Sequence, residues 1–330
     1  MIDGILRLVT YVTESDADEG AGALGLLVGD RVVRPDDLFA ASGIKPRLDD
    51  GPVTTVVQAL QTPAFLDAAR QALQWLSNAD DQALARVSVV RTDVKLLAPV
   101  PNPPKLFALA GNYMEHIQES TQKKLQATIS EADKATPRVF MKPPSVTVCG
   151  DGDPILLGPS SRWPDYEAEM ALIIGRPGRF IGPDEAQAHI AGITIINDVS
   201  ERELQIWTRP ETREWDKFFD WLNGKWFDNA APMGPCAVPV EDVGDIHALR
   251  IRLWLNGDLK QDATTAQMIF HAGEIVSYIS HICTIEPGDV IATGTPSGVG
   301  HAQGIKLKDG DIVEIELEKV GRLRNPVKQL

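Results

Sequence analysis

Glu167 and Glu169 flank a single alanine in the stretch PDYEAEMALIIG, and the residues that follow are almost all apolar. In an extended strand residues i and i+2 share a face. The two glutamates therefore point the same way, and Met170, Leu172 and Ile174 point the other way, into a core. Carboxylates that close repel one another, more strongly when buried. Either both stay in water, or one keeps its proton, or a cation sits between them. Asp198 adds a third acid at the end of the apolar run in AGITIINDVSERELQ. An Asp at a strand end is by itself an ordinary turn residue. Beside Glu-Ala-Glu it completes an oxygen-rich set suited to a hard divalent cation such as Mg2+ or Mn2+.

Two further patterns could do chemistry. In GNYMEHIQE, His116 and Glu119 lie one helical turn apart, where a carboxylate can orient and charge an imidazole. Taken alone, such a pair is usually a surface helix pair. The stretch TGTPSGVG, Thr293 to Gly300, is a glycine-rich loop whose backbone N–H groups could hold an anion. It carries no Gly-Lys-Ser/Thr and is not a P-loop, and the chain shows no dinucleotide fingerprint.

These residues need strands to carry them. Residues 5–33 read as short strands, with a hairpin signal at Gly29-Asp30. From Thr54 to about Val90 the spacing is helical, with Thr62 as N-cap and Pro63 at the first helical position. Pro99, Pro101, Pro103 and Pro104 then mark a stiff linker, which places a domain boundary near residue 100. Beyond it, short apolar strands alternate with Gly and Pro. Ser200 and Glu203 match a capping box and predict a helix start. The polar stretch Met114 to Arg138 is helix-forming and is expected to close over the site. Four of the seven tryptophans (Trp207, Trp215, Trp221 and Trp226) fall between Glu201 and Phe227, which predicts packing in a core or a subunit interface rather than a platform for bases.

Bulk composition narrows the classes. The chain has 330 residues and a formal net charge of −14, which argues against nucleic acid or an anionic membrane as partner. No apolar run is long enough to span a bilayer, and no signal peptide is read at the N-terminus. Cys149, Cys236 and Cys283 are scattered without a CxxC pair. Three reduced thiols in a cytoplasmic protein are expected.

Taken together, the motifs LFALAGNYMEH, VFMKPPSVTVCGDGDPI, DYEAEMALIIG, GITIINDVSERELQ, NGKWFDNAAPMGP, LNGDLKQDATTAQMIF and IEPGDVIATGTPSGVG resemble the fumarylacetoacetate hydrolase superfamily. They occur in that family's order over about Pro99 to Val320. The resemblance implies an α+β, mainly β fold: a mixed β-sandwich roll at 99–330, preceded by a small N-terminal α/β domain at 1–98. It implies a homodimer with Mg2+ or Mn2+, or Ca2+ as a substitute, held by Glu167, Glu169 and Asp198. That would answer why two glutamates sit side by side.

The same resemblance places a catalytic dyad on His116 and Glu119, an enolate-stabilising lysine on Lys225, and substrate contacts on Tyr113, Arg202, Gln205 and Thr295. The implied reaction is catabolic, hydrolytic cleavage of a C–C bond in a small 2,4-diketo acid such as an acylpyruvate. Oxaloacetate decarboxylation and isomerisation of a 2-hydroxy-dienoate are alternatives on the same site, and a non-catalytic metal-bound scaffold is the alternative of another class. One departure stands out. The hydrolase that names the family has a fourth metal carboxylate just before the tyrosine of the first motif, where this chain has Gly111 and Asn112. The segments from His116 to VFMKP and from Gln205 to Lys225 are also longer than in compact members.

Overall fold

The strand Ala168–Ile174 is buried along its whole length, as expected for a strand covered on both faces. In this computed structural model, which describes residues 4–13, 22–48, 51–121 and 136–330, it lies near the middle of the larger of two main sheets. It pairs antiparallel with Ile190–Asn197 on one side and Val290–Ala292 on the other. Ile190–Asn197 pairs in turn with Ala231–Pro239. Val290–Ala292 runs parallel to Leu106–Ala110, which pairs with Arg138–Met141. A second sheet has the order Asp258–Thr264, Arg250–Leu255, Ile312–Leu317, Gly321–Gln329, Ile155–Leu157. Its strand Ile312–Leu317 alternates half-buried and buried residues, the pattern of a sheet with one covered face.

Met170, Leu172 and Ile174 share one core with Ile251, Leu253 and Ile315 of the second sheet, so the two sheets pack face to face. The opposite face is also covered. Ala171 and Ile173 share a core with Leu66, Ala69 and Leu73 of the N-terminal helix Pro63–Ser77. The fold is α+β and mostly sheet, as the resemblance implies, and the sheets do not close into a barrel.

The chain on either side of residue 98 shares a sheet and a core. Leu8–Thr13 joins the large sheet by pairing Leu8 with Ala237, and the Thr10 hydroxyl donates to the Pro99 carbonyl of the proline-rich linker (2.9 Å). The hairpin at Gly29-Asp30 joins Ala23–Val28 to Arg31–Val33. The helical stretch divides into Val56–Gln61, Pro63–Ser77 and Asp81–Val87, and Ser88–Val90 is a strand. Thr62 is the N-cap residue of Pro63–Ser77 but makes no side-chain cap. Its hydroxyl donates back to the Gln58 carbonyl (2.8 Å).

The helix predicted at Ser200 is absent. Ser200–Glu201 is a short strand paired with Pro164–Asp165. The Glu201 carboxylate accepts N–H donors from Arg162 (3.0 Å) and Trp163 (2.6 Å), which holds the chain extended. The helix comes later, at Glu214–Asn223. Of the polar stretch before Arg138, Met114–Thr121 is helical, and 122–135 lie outside the described residues.

Candidate active site

Two neighbouring strands bring the acids together by register. Ala168 pairs with Asn197, so Glu167, just before one strand, meets Asp198, just after the other. The Asp198 N–H donates to the Glu167 carbonyl (3.0 Å). Glu169, inside the first strand, joins them. One carboxylate oxygen from each of Glu167, Glu169 and Asp198 lies within 4.8 Å of the others, and all three side chains are buried.

Cations offset part of this charge. The Lys225 ammonium donates to Glu167 (2.9 Å) and Asp198 (2.6 Å). The Lys142 ammonium donates to Asp198 (2.6 Å) and to the carbonyls of Val199 (3.0 Å) and Ala230 (2.8 Å). Arg202 bridges Glu167 and Asp165. Four carboxylates thus face three cations, and Glu169 is the acid left over. Burial favours the neutral form of Glu167, but Lys225, Arg202 and His116 outweigh it and hold that group well below the carboxylate range. Glu169 goes the other way. Burial, then Asp198 and Glu167, push its pKa well up. Its Oε2 accepts from the Gly294 N–H (2.7 Å), while its Oε1 is buried with no hydrogen-bond partner among the described residues. An unpartnered buried oxygen among all-oxygen donors fits a hard divalent cation.

The glycine-rich loop is occupied by the protein's own acids. Gly294 donates to Glu169, Gly298 to both oxygens of Glu119 (3.0 and 3.2 Å), and Gly300 to Asp165 (2.7 Å). The anions that these amides hold are thus the protein's own carboxylates. Gly294 has φ +93°, and a Cβ there would lie 2.7 Å from the Asn112 Cβ, so the close approach needs glycine.

His116 and Glu119 share the helix Met114–Thr121, with Nδ1 3.8 Å from the carboxylate. This is ion-pair range, and the Gly298 N–H anchors the glutamate end. Asn112, just before that helix, donates to the carbonyls of Thr293 (2.7 Å) and Phe270 (3.1 Å) and accepts from the Phe270 N–H (2.8 Å). Its amide is therefore a bracket between the dyad's helix and the glycine-rich loop. Tyr113 is buried, and its hydroxyl has no partner among the described residues.

His116, Glu119 and Arg202 line a cavity of about 1010 Å³. Thr295 does not. Its buried hydroxyl donates to the Ala168 carbonyl (3.0 Å) and accepts from Gln261 (2.9 Å). Gln205 also lies off the main cavity, in a recess of about 300 Å³ beside Arg162 and Arg209. Trp221 and Trp226 line the main cavity, whereas Trp215 is 72% exposed.

Residues 105–328 match the model of the fumarylacetoacetate (FAA) hydrolase C-terminal domain. The chain belongs to the fumarylacetoacetate hydrolase family. Among its relatives is a protein named mitochondrial oxaloacetate tautomerase from Xenopus laevis. It is 36% identical over 265 residues, covering 80% of this chain and 77% of the other. Similar solved structures include the fumarylacetoacetate hydrolase of psychrophilic Exiguobacterium antarcticum (TM-score 0.70, 27% identity, 98% of this chain and 100% of that one). Another is the 2-hydroxyhepta-2,4-diene-1,7-dioate isomerase of Mycobacterium marinum (TM-score 0.66, 27% identity, 98% of each chain). The fumarylacetoacetate hydrolase family thus includes hydrolases, isomerases and tautomerases of small acids, and this chain has the family's enzyme frame.

Sequence reasoning passed over two members of the site, Lys142 and Asp165. The signal for Lys142 was a lone cation between the apolar strand Arg138–Met141 and two prolines. The signal for Asp165 was a third acid in the DYEAE run. Lys142 is fully buried, and replacing it with methionine would leave Asp198 without one of its two cations. Loss of one partner of a buried pair costs about 3–5 kcal/mol. Lys142→Met is therefore expected to lower the unfolding free energy of metal-free protein by about that amount, read by urea unfolding. A change below about 1 kcal/mol would mean that the ammonium is not needed there.

Proposed function

We propose that this chain is a divalent-metal-dependent enzyme that moves a proton at C3 of a small 2-oxo acid, with keto–enol exchange of oxaloacetate as the first reaction to test. The observation that carries this is the buried acid trio with its unpartnered Glu169 Oε1, beside a cavity carrying His116 and Glu119. The name of the frog relative points the same way. Glu167, Glu169 and Asp198 would hold Mg2+ or Mn2+, with Ca2+ as a substitute, which supplies a Lewis acid for the 2-oxo and carboxylate oxygens. His116 would take the proton from C3 as the C–H bond breaks, held in its orientation by Glu119. The proton returns to the former 2-oxo oxygen to give the enol. Lys225 uses two of its three N–H donors on Glu167 and Asp198 and has one left for the developing enolate oxygen. Arg202 sits where it can face the substrate carboxylate.

Hydrolysis of an acylpyruvate is the second reading, and it uses the same His116 with Glu119 anchored on the Gly298 N–H. There His116 would take a proton from water, the water oxygen would add to the distal carbonyl, and the bond from that carbon to C3 would break. The released enolate would then take up a proton at C3. Decarboxylation needs only the enolate-stabilising half of the site. A panel of oxaloacetate and acylpyruvates, run with Mg2+, with Mn2+ and with EDTA, separates these outcomes. Full activity in EDTA-treated protein would sink the metal-dependent reading, and no turnover of any member would leave the non-catalytic scaffold.

Two wider readings rest on the same footing. A homodimer is proposed because Trp215 and Phe219 stack on each other at 6.1 Å between ring centroids while 72% and 50% exposed. Replacing both with alanine is expected to shift the mass seen by light scattering toward a monomer. Wild-type protein running as a monomer at micromolar concentration would remove the idea. The cytoplasm is the proposed compartment, on the strength of three free cysteines. No described helix is long and apolar enough to cross a membrane.

A further inference from the structure

We infer that the substrate carries a bulky apolar, aromatic group on its distal carbonyl, so that the preferred class is a 4-aryl-2,4-dioxo acid. This rests on the metal-dependent 2-oxo-acid reading above and adds what that reading leaves open, the far end of the substrate. The argument starts from the wall of the cavity. Phe140 lies 5.2 Å from the Lys225 ammonium, measured to the ring centroid. Trp221 packs edge-on to Phe140 at 5.1 Å, and Phe218 follows Trp221 at 5.9 Å. The three rings form a continuous series that begins beside the carboxylate site and reaches Phe218, 48% exposed, which in turn meets Phe219 and Trp215 on the surface. Trp226 flanks it, fixed by its indole N–H to the Met141 carbonyl (3.0 Å).

None of the ten residues of Glu214–Asn223, the helix that supplies Phe218 and Trp221, is fully buried. Trp221 packs against the core while only partly buried, and Phe218 is half exposed. They remain as an apolar surface lining the cavity. Ligand cavities run to about 300–1,000 Å³ and are lined mostly by apolar and aromatic side chains. At about 1010 Å³ this one is at the upper end. A four-carbon dicarboxylic acid has no apolar part to set against the ring series. An aryl ketone does. With its carboxylate and 2-oxo group at the acids, its ring would extend along Phe140, Trp221 and Phe218, where offset or edge-on packing is favourable. Arg138 and His301 also line the cavity, and they are the groups that a distal carboxylate would need instead.

The test compares benzoylpyruvate, acetylpyruvate and oxaloacetate with the Mn2+-loaded full chain. Two readouts are taken: binding by titration calorimetry, and turnover, followed both as C3 proton exchange and as C–C cleavage. Benzoylpyruvate should exceed acetylpyruvate in affinity and in kcat/KM by about tenfold or more, the scale of modest apolar differences in a pocket. Trp221→Ala should reduce that ratio. So should Phe218→Ala, at a half-exposed site, with light scattering to check that the assembly is unchanged. Equal affinity and kcat/KM for the two acylpyruvates would overturn the inference, as would a preference for oxaloacetate that is lost in Arg138→Ala. A binding preference without any turnover would sustain the aryl pocket and overturn the proposed catalysis. Turnover without a preference would overturn the aryl pocket alone.

Discussion

His116→Ala is expected to lower kcat by about 10²–10⁴-fold, the range for loss of a general base, with Mn2+ affinity nearly unchanged. The imidazole is a poor partner for a hard cation, whereas Glu167, Glu169 and Asp198 offer only oxygen. The base and the metal set also stand on separate elements. His116 is on the helix Met114–Thr121, and the acids are on two paired strands. Calorimetric titration of the variant with Mn2+, beside turnover of the best substrate, checks both halves. Parallel loss of metal and activity would mean that the imidazole belongs to the metal set. Glu119→Gln should lie between wild type and His116→Ala. It can still accept from the Gly298 N–H but no longer presents a charge to the ring.

Glu169→Gln should produce two effects of opposite sign. In the metal-free protein the substitution replaces a carboxyl whose charged form is disfavoured by burial, Asp198 and Glu167, and the amide oxygen can still accept from the Gly294 N–H. Metal-free Glu169→Gln is therefore expected to unfold at a higher temperature than metal-free wild type. With metal the order reverses. The divalent cation loses a charged donor, and its affinity should fall by about 100-fold or more, beyond the 10–100-fold typical of outer partners. A cation that binds only the folded state raises stability in proportion to the logarithm of its concentration over Kd. The metal-induced rise in Tm should then be large in wild type and nearly absent in the variant. A variant that stays as metal-responsive as wild type would remove Glu169 from the site.

The acid trio was legible because each member follows from a local rule. The i, i+2 spacing sets Glu167 beside Glu169, and Asp198 ends an apolar run. Lys142 and Asp165 were not legible because their partners come from sheet pairing. Lys142 meets Asp198 across 56 residues, and Asp165 meets Gly300 across 135. The capping-box signal at Ser200 and Glu203 failed for a related reason. Its pattern is local, but Glu201 is held by main-chain donors from residues 162 and 163, and tertiary bonding won over the cap. The large sheet was readable as strands, yet its continuation into the N-terminal segment was not. The proline-rich stretch marks a break in regular structure, and Leu8 pairs across it to Ala237. The glycine-rich loop was recognised as an amide-lined cradle. What it cradles could be read only from the fold.

The sheet that carries the acids and the helix Glu214–Asn223 that carries Trp221 and Phe218 differ in how much change they can absorb. Every residue of Ala168–Ile174 is buried, and its apolar residues divide between two cores, where a change of even one methylene group is felt. That helix has no fully buried residue, and Trp221 and Leu222 pack against a core, so its exposed positions can change with little effect on either core. Descendants of this sequence can therefore exchange one distal group for another by drift in a single surface helix while the oxygen cage and its lysines stay fixed. Substrate range would diverge around an unchanged set of acids.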